Sequence, residues 1–331
     1  MYIVPIFIPH AGCTHECTFC NQRLISGQQH FNIASVQTQL MEFMERLPLD
    51  KPKQVALYGG SFTAISMVIQ EEILAYIASV SSMYNIISLR ISTRPDCIDA
   101  NNLELLTKYN VQVVELGVQS LDNNVLALAK RGHTAAVVAP AVQLLKQHGF
   151  QVGIQLMVGM QGQSFESIQA TTQQVLAMQP DMVRIYSMMV IQGTELARRH
   201  LRGEFQPINL EESVEQACYI WKKMAKHNIP VIRMGLQAEE LLENSIIAGS
   251  YHPAFGELVI QAHYRSILVE RLNYLTKRGA LAVYIEYPHN MASKIIGMNK
   301  SNKVYVQEHF PALKTIWRTN NSIEELLVHV I

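Results

Sequence analysis

Three cysteines near the start of the chain have a spacing that suits a metal centre. Cys13, Cys17 and Cys20 follow the first apolar segment in the pattern C-x3-C-x2-C. Thiolates are soft ligands that bind iron–sulfur clusters and zinc. A closed site of either kind takes four ligands, and this segment supplies three cysteines. A [4Fe–4S] cluster held by three thiolates leaves one iron open to a substrate or cofactor, which is the arrangement that catalysis needs.

Two other interpretations of this segment stay open. In one of them the three thiols are inert, buried as small apolar groups. In the other, a zinc ion is completed by His10 or His15, which flank the first cysteine. The remaining cysteines, Cys97 and Cys218, stand apart in helical contexts and are predicted to be ordinary core residues.

The composition indicates a folded protein of a reducing compartment. Of the 331 residues, 49% are hydrophobic and 16% are charged, which excludes an intrinsically disordered chain. The 27 basic and 27 acidic side chains cancel, so overall charge does not attract nucleic acid or acidic lipid, although a local basic face is compatible with this balance. Five cysteines without a secretory leader indicate the cytoplasm, and no segment is apolar enough to predict a membrane partner.

The first 190 residues alternate between short apolar segments and longer amphipathic ones. Strands that are each followed by a helix predict a parallel sheet covered by helices. Six such units without a dinucleotide fingerprint favour an α/β fold of the partial (β/α)6 barrel type over a Rossmann sheet. In barrels of this kind the chemistry gathers on the loops after the strands. The predicted strands are 2–8, 54–58, 86–92, 111–117, 152–158 and 182–186.

The pattern changes after residue 190. We therefore predict a barrel core over 1–190 and a small α+β extension over 191–331, packed on the barrel. In the core, one helix is predicted over 165–178, and another over 123–149 that is broken near Gly132. In the extension, the pattern predicts a helix at 210–227, a strand at 230–234 and a helix at 254–277.

The cysteine motif, with an aromatic residue before its third cysteine, resembles that of the radical S-adenosylmethionine (SAM) superfamily. The resemblance implies that Cys13, Cys17 and Cys20 bind a [4Fe–4S] cluster and that Phe19 packs near the adenine of SAM. It also implies that SAM chelates the open iron and is cleaved reductively to a 5′-deoxyadenosyl radical. A one-electron donor of the flavodoxin or ferredoxin type would supply the electron.

Segments after the second and third strands extend the resemblance. Gly59-Gly60-Ser61 is similar to the family's GGE-type motif, which holds the SAM amino group, and its continuation is closer to the Elongator catalytic-subunit-like branch. The segment from Ser92 to Asp96 resembles that branch's E-T-R-P-D, with Ser92 in place of the acid that contacts the ribose. The resemblance makes Gly59, Gly60, Ser61, Ser92 and Arg94 candidate SAM contacts.

Segments after the fourth and fifth strands resemble both this branch and the oxygen-independent coproporphyrinogen dehydrogenases. They imply that Gln119, Arg131 and Gln155 contact SAM, with Gln155 in place of a family acid. Arg131 suits a carboxylate because its guanidinium donates two parallel hydrogen bonds. The alternative for Arg131 is a surface charge at a helix end. The match continues through the segment that holds Gln237 and ends near residue 258, so we expect this branch without its acetyltransferase domain.

Four residues are candidates for work on the substrate. Arg184 and Tyr186 end the sixth strand, where they would either contact substrate at the barrel mouth or form a structural hydrogen bond. His252 and Glu257 would form either an acid/base pair or part of a capping loop.

RNA is one candidate partner. Residues 263–303 contain seven Lys or Arg and two acidic residues, with Tyr264, Tyr274, Tyr284 and Tyr287 between them. Such a surface could hold phosphates and stack bases, and it could equally be a solvated helix face. The sequence thus predicts a radical SAM enzyme acting on an organic substrate, either a tRNA nucleoside or a small molecule such as a tetrapyrrole. The alternative is a non-catalytic iron–sulfur or zinc protein that senses redox state or binds RNA.

Overall fold

The computed structural model describes residues 1–13, 16–26, 31–236 and 240–331. These residues form two compact units. The barrel unit comprises residues 1–213 and 223–253, and the C-terminal unit comprises residues 214–222 and 254–331. This division differs from the boundary expected at residue 190, because a strand beyond that point joins the barrel sheet.

The barrel unit is built on a parallel sheet. Its strands, in chain order, are β1 (Tyr2–Ile8), β2 (Lys53–Gly59), β3 (Ile86–Thr93), β4 (Val111–Gln119), β5 (Gln151–Val158), β6 (Met182–Ser187), β7 (Met189–Ile191), β8 (Val231–Met234) and β9 (Ile246–Gly249). Seven of them pair in the order β1-β2-β3-β4-β5-β6-β8, each parallel to its neighbour. Strands β7 and β9 form a separate antiparallel pair. The predicted partial α/β barrel is confirmed, with β8 as a seventh strand that the sequence had placed in the extension.

Ten α-helices lie among the described residues up to residue 243, and residues 214–222 of the ninth belong to the C-terminal unit. They are α1 (Gln22–Ser26), α2 (Ile33–Arg46), α3 (Met67–Tyr84), α4 (Ala100–Lys108), α5 (Asn123–Leu128), α6 (Val138–Gln147), α7 (Phe165–Met178), α8 (Glu195–Leu201), α9 (Leu210–Lys226) and α10 (Glu240–Glu243). Side-chain caps set several of their starts: Asn32 accepts from the N–H of Ser35 before α2, and Ser164 accepts from that of Ser167 before α7. The break expected near Gly132 is present between α5 and α6.

The sheet forms the core of this unit. Val4, Ile6 and Ile8 of β1 are buried, as are apolar residues of all the central strands. A parallel sheet covered by helices buries its strands on both faces, so these strands are apolar nearly throughout. Each such side chain contributes about 1.5–3 kcal/mol to folding.

One charged side chain lies in the core at the N-terminal end of the sheet. Lys53, the first residue of β2, is fully buried. Its Nζ donates hydrogen bonds to the carbonyl oxygens of Pro48 (2.6 Å), Lys51 (3.0 Å) and Tyr84 (2.9 Å). Backbone carbonyls thus replace water around this ammonium group and tie the turn before β2 to the end of α3.

The C-terminal unit has α+β architecture. Its further elements are α11 (Phe255–Thr276), β10 (Ala282–Tyr287), α12 (Ala292–Ile296), α13 (Ser301–His309), β11 (Lys314–Thr319) and β12 (Leu327–Val330). The sheet order is β11-β10-β12, with β10 parallel to β11 and antiparallel to β12. Leu268, Leu272, Val283 and Ile285 belong to one buried cluster between α11 and this sheet. Within the described ranges, no helix combines the length and the apolar content needed to cross a membrane.

Candidate active site

A cavity of about 1020 Å³ lies inside the curled sheet of the barrel unit. Its size matches the upper range of small-molecule sites. Its wall takes in the cysteine loop, the glycine pair after β2 and the ends of β3 to β6. Most of the residues predicted to act in the site line this one cavity: Cys13, Cys17, Phe19, Cys20, Gly59, Gly60, Ser92, Arg94, Gln119, Arg131, Gln155, Arg184 and Tyr186.

The cysteine loop is shaped by two tight turns. The N–H of Cys13 donates to the carbonyl of His10 (3.2 Å), and the N–H of Cys20 donates to that of Cys17 (3.1 Å). Each turn brings a thiol to the wall of the cavity. His15, one of the two histidines considered as a zinc ligand, lies outside the described residues.

Two glycines let this loop pack against the turn after β2. A Cβ on Gly12, whose φ is +71°, would overlap the carbonyl oxygen of Ser61, and a Cβ on Gly60 would overlap that of Ala11. The N–H of Ser61 also donates to Ala11 O (2.8 Å). The close approach of two backbones therefore requires glycine here. The sequence had explained the glycine pair by the approach of a ligand.

Gln22 links the loop to the glycine pair, and the sequence carried no sign of it. Its Nε2 donates to Gly59 O (2.8 Å) and lies 3.9 Å from the Sγ of Cys13. Its backbone N–H donates to Nε2 of His10 (3.1 Å). Burial lowers the pKa of His10, and an accepting Nε2 means a neutral ring. In this arrangement His10 cannot bind zinc through Nε2.

The environment of Cys13 and Cys20 opposes the ionisation of their thiols. Burial raises the pKa of Cys13 and raises that of Cys20 to about 12, and Cys17 adds to both shifts. The guanidinium of Arg131 acts in the other direction on both thiols. A metal ligand has to be a thiolate, so metal binding at this loop would release protons.

Arg131 is directed at the cysteine loop. Its Nη1 donates to the Sγ of Cys17 (3.1 Å), and its Nη2 donates to the carbonyl oxygen of Gly117. With 7% exposure it is not the surface charge that one interpretation of the sequence foresaw. Lys130 and Gly132 on either side have positive φ, which turns the chain between α5 and α6 and carries the side chain inward.

Two buried polar atoms of this wall have no hydrogen-bond partner among the described residues. They are Nε of Arg131 and Oε1 of Gln119. Gln119 ends β4 at an irregular register with a φ of +68°, which turns its side chain toward Arg131. Buried polar groups are nearly always satisfied, so this pair suits a polar ligand.

The chemistry of the groups around the cysteine loop fits an iron–sulfur cluster. Three soft ligands come from one loop, a cation contacts one of them, and polar atoms without partners lie beside them. Among the described residues, which leave out 14 and 15 of this loop, no group of three His, Cys, Asp or Glu side chains is placed so that it could hold a metal ion. The ligand roles of Cys13, Cys17 and Cys20 therefore stay predictions.

Ser61 and Arg94 are held by partners within the protein. The hydroxyl of Ser61 lies 2.9 Å from that of Thr93 and accepts from the N–H of Arg94, and Ser61 is not among the described residues that line the cavity. Arg94 forms two hydrogen bonds with Asp96 (2.9 and 2.7 Å). Burial opposes ionisation of Asp96, but these bonds hold its pKa below the usual range. Both residues fix the end of β3 beside the glycine turn.

A buried glutamate that the sequence analysis missed organises the opposite wall. Glu115 of β4 is fully buried. Its Oε1 accepts from Arg90 (2.6 Å) and Arg184 (2.9 Å), and Nε of Arg184 lies 2.7 Å from its Oε2. Gly153 on β5 leaves room for it, since a Cβ there would stand 3.0 Å from the Cγ of Glu115. The sequence did contain a signal for this role, because Glu115 is the single acidic residue of a largely apolar strand.

Gln155 completes this cluster. Its Nε2 donates to Oε2 of Glu115 (3.0 Å) and lies 3.4 Å from the Oγ of Ser92. The two residues that replace acids of the resembled family are therefore in contact with each other. Their predicted role at a ribose stays a prediction.

Arg184 and Tyr186 form the structural contact considered for them, and their contact with a substrate stays a prediction. Arg184 donates to the hydroxyl of Tyr58 (2.6 Å), and its Nη1 lies 3.5 Å from that of Tyr186. Arg184 thus takes part in a structural network while it lines the cavity. Burial raises the pKa of both Tyr58 and Tyr186, so the phenols keep their protons at neutral pH.

The remaining candidates lie elsewhere. His252 follows β9 in the barrel unit and Glu257 begins α11 in the C-terminal unit, and neither is among the described residues that line the cavity. Gln237 lies outside the described residues. Tyr287 belongs to the buried core of the C-terminal unit, so it cannot stack a base as the interleaved aromatic pattern suggested.

Two family models match the chain. The model of the radical SAM superfamily matches residues 7–175, and that of the radical SAM C-terminal domain matches residues 180–265. The first match includes the cysteine loop, the glycine pair, Glu115 and Arg131. The second begins just before β6 and ends within α11.

Similar proteins support the same assignment. A tRNA uridine(34) acetyltransferase of Methanocaldococcus infernus is 36% identical over 182 residues, 54% of this chain and 33% of that protein. The structure of Elp3 from the same organism matches with a TM-score of 0.61 and 26% identity over 84% of this chain and 63% of that chain. Coproporphyrinogen III oxidase (HemN) from Escherichia coli shares the fold, with a TM-score of 0.50 and 16% identity over 68% of this chain and 52% of that chain. The chain spans about a third of the curated relative. The resemblance to the radical SAM superfamily is confirmed, and the likeness to HemN shows the shared fold.

Proposed function

Because the chain belongs to the radical SAM superfamily, we propose that it cleaves SAM reductively and directs the resulting radical at an organic substrate held in the same cavity. In this proposal Cys13, Cys17 and Cys20 bind a [4Fe–4S] cluster. When bound, the cluster supplies the electron that breaks a carbon–sulfur bond of SAM to give a 5′-deoxyadenosyl radical. The observation that carries the proposal is the convergence of the three cysteines and Arg131 on one cavity.

The residues around the loop divide the binding of SAM among them. Nε of Arg131 and Oε1 of Gln119 offer a donor and an acceptor for the charged end of the cofactor. Phe19 packs against the buried cluster that includes Met157 and Met160, which gives an apolar contact suited to the adenine.

Residues at the ends of the strands contact the remaining parts of SAM and the substrate. Gly59 and Gly60 offer backbone groups to the SAM amino group, Ser92 and Gln155 contact the ribose, and Arg94 keeps this wall in place through Asp96. Arg184 and Tyr186 face the substrate. A reduced flavodoxin or ferredoxin type of protein supplies the electron.

The proposal is tested by anaerobic reconstitution with iron and sulfide, followed by dithionite and SAM. We expect 5′-deoxyadenosine to accumulate with the wild-type chain and to fall to background with Cys17→Ala. Cys218→Ala, a buried cysteine of the C-terminal unit, is the matched control and keeps the wild-type rate. A wild-type yield no higher than that of Cys17→Ala would contradict the proposal and favour a non-catalytic iron–sulfur or zinc protein.

A tRNA nucleoside is the substrate that the relatives favour. The observation is the 36% identity to a tRNA uridine(34) acetyltransferase over 182 residues. We expect the nucleosides of tRNA from a deletion strain to differ from wild type by one modified species, measured by mass spectrometry. An unchanged nucleoside profile would argue for a small-molecule substrate instead.

A further inference from the structure

The buried carboxylate of Glu115 lies among donors of two arginines and one glutamine. Two hydrogen bonds reach its Oε1, Nε2 of Gln155 donates to its Oε2, and Nε of Arg184 lies 2.7 Å from Oε2 at ion-pair distance without a hydrogen bond. A carboxylate offers about four acceptor positions, and three of them accept hydrogen bonds here. Arg90 and Arg184 nevertheless bring two positive charges to this one negative charge. The wall of the cavity therefore keeps an excess positive charge in a place shielded from water.

A second cation lies next to this cluster. In the sheet register Gly117, Gln155, Arg184 and Arg233 are aligned across β4, β5, β6 and β8. Arg233 is half-buried and lines the cavity, and its Nε donates to the carbonyl of Gly235 (3.2 Å). In the part of the chain that the structure describes, no acidic side chain forms an ion pair with it. Arg233 therefore adds one further positive charge at this end of the cavity.

The two phenols nearby add hydrogen-bond donors. Arg184 has no acceptor atom, so the oxygens of Tyr58 and Tyr186 accept from it and their own O–H groups remain available to a third partner. Both tyrosines line the same cavity as Arg233. This region thus offers N–H and O–H donors and excess positive charge together.

We propose that Arg233, Arg184, Tyr58 and Tyr186 form a subsite for a compact anionic group of the substrate, either a carboxylate or a phosphate monoester. Arg233 is its specificity-determining residue, because its guanidinium can bind two oxygens of one anion. The inference rests on the proposed function in that this anion belongs to the molecule that the radical attacks. It is separate from the carboxylate of SAM, for which Arg131 supplies the cation at the cysteine loop.

The subsite is tested by titrating the anaerobically reconstituted full chain with inorganic phosphate and with acetate in a calorimeter. We expect one of the two anions to bind at one site per chain. Arg233→Gln weakens that binding about tenfold to hundredfold, the range expected for one lost charge-assisted contact, and Arg233→Lys restores part of it. The matched control is Arg198→Gln, an exposed arginine of the same cavity, which leaves the affinity unchanged. The tighter of the two probes identifies the substrate group as phosphate or carboxylate.

Three outcomes would overturn the subsite. They are no binding of either anion by the wild-type chain, equal affinity in wild type and Arg233→Gln, or equal losses in Arg233→Gln and Arg198→Gln. A loss of SAM affinity in Arg233→Gln would assign Arg233 to SAM binding and would also overturn the subsite. Recovery of anion binding in Arg233→Lys would show that the loss in Arg233→Gln does not come from misfolding. Failure of the proposed function is a separate result, since it removes 5′-deoxyadenosine formation from the wild type without changing its binding of phosphate or acetate.

Discussion

Glu115 in the barrel unit and Glu286 in the C-terminal unit are both strand glutamates that gather basic side chains from neighbouring strands. Both are almost fully buried as residues. The side chains of Arg90 and Arg184 around Glu115 are 9% and 11% exposed. Around Glu286, the side chains of Arg318 and His329 are 50% and 41% exposed, and Asn320 donates to its Oε2 (2.7 Å).

The difference lies in what surrounds the cations. Water solvates the charge of Arg318, so the C-terminal cluster fastens β10 to β11 and carries no excess charge into a closed space. The cations of Glu115 have lost most of their water, so each needs an internal partner or a ligand. The same residue types thus make a surface fastening in one unit and a charged cavity wall in the other.

The largest expected effect is on the enclosed cluster. Glu115→Gln leaves two buried guanidinium groups without a counter-charge, and we expect it to destabilise the chain by about 3–5 kcal/mol in urea unfolding. Glu286→Gln is the matched control and should cost clearly less, because its cations remain in water. Equal losses in the two variants would mean that enclosure does not distinguish the clusters.

Lys53 sharpens the comparison, because it is a buried charge with no acidic partner among the described residues. Its ammonium group is held by backbone carbonyls alone. Lys53→Met leaves those carbonyls unpaired, and we expect a loss of about 2–3 kcal/mol in the same measurement. Lys51→Met, an exposed lysine of the same turn, should change stability by less than about 1 kcal/mol. If both variants unfold at the same urea concentration, the carbonyl cage does not stabilise the fold.

The smallest effect concerns pH and the open cluster. Hydrogen bonds from Asn320 and Arg318 lower the pKa of Glu286 from 4.5 to about 2. A lowered folded-state pKa contributes stability above the unfolded-state value, and that contribution is lost as pH falls from about 4.5 to about 2. The stability difference between wild type and Glu286→Gln should therefore shrink as pH falls from about 4.5 to about 2. A difference that stays constant down to pH 3 would contradict this origin.

Much of the fold followed from local pattern. Apolar segments separated by helices predicted β1 to β6 to within two residues at each end, because a strand buried on both faces has little choice of residues. Strand β8 was recognised as a strand but placed in the wrong unit, since nothing local tells which sheet an edge strand joins. The same limit applies to Tyr287, whose side chain packs in a core that the sequence pattern does not reveal.

Residues of the site that belong to short sequence motifs could be predicted from the sequence. Residues whose role depends on contacts between distant segments could not. Cys13, Cys17, Cys20 and Arg131 follow from motifs within short segments. Glu115 escaped because its partners are 25 and 69 residues away along the chain. Of Gly12 and Gly60, only Gly60 was singled out from the sequence. Both positions require glycine because of a contact between two loops, which the sequence does not show.

The sequence by itself determined the class of the fold and the order of its strands in the chain, and it singled out the three thiols that we propose as cluster ligands. Those features depend on the period of apolar residues and on ligand spacing, which are properties of short segments. Only the tertiary structure decided that Arg131 faces a cysteine, that Glu115 is surrounded by two arginines and that Arg233 aligns with Arg184. The physical reason is that charges brought together from distant strands interact strongly only after the fold has removed the water between them.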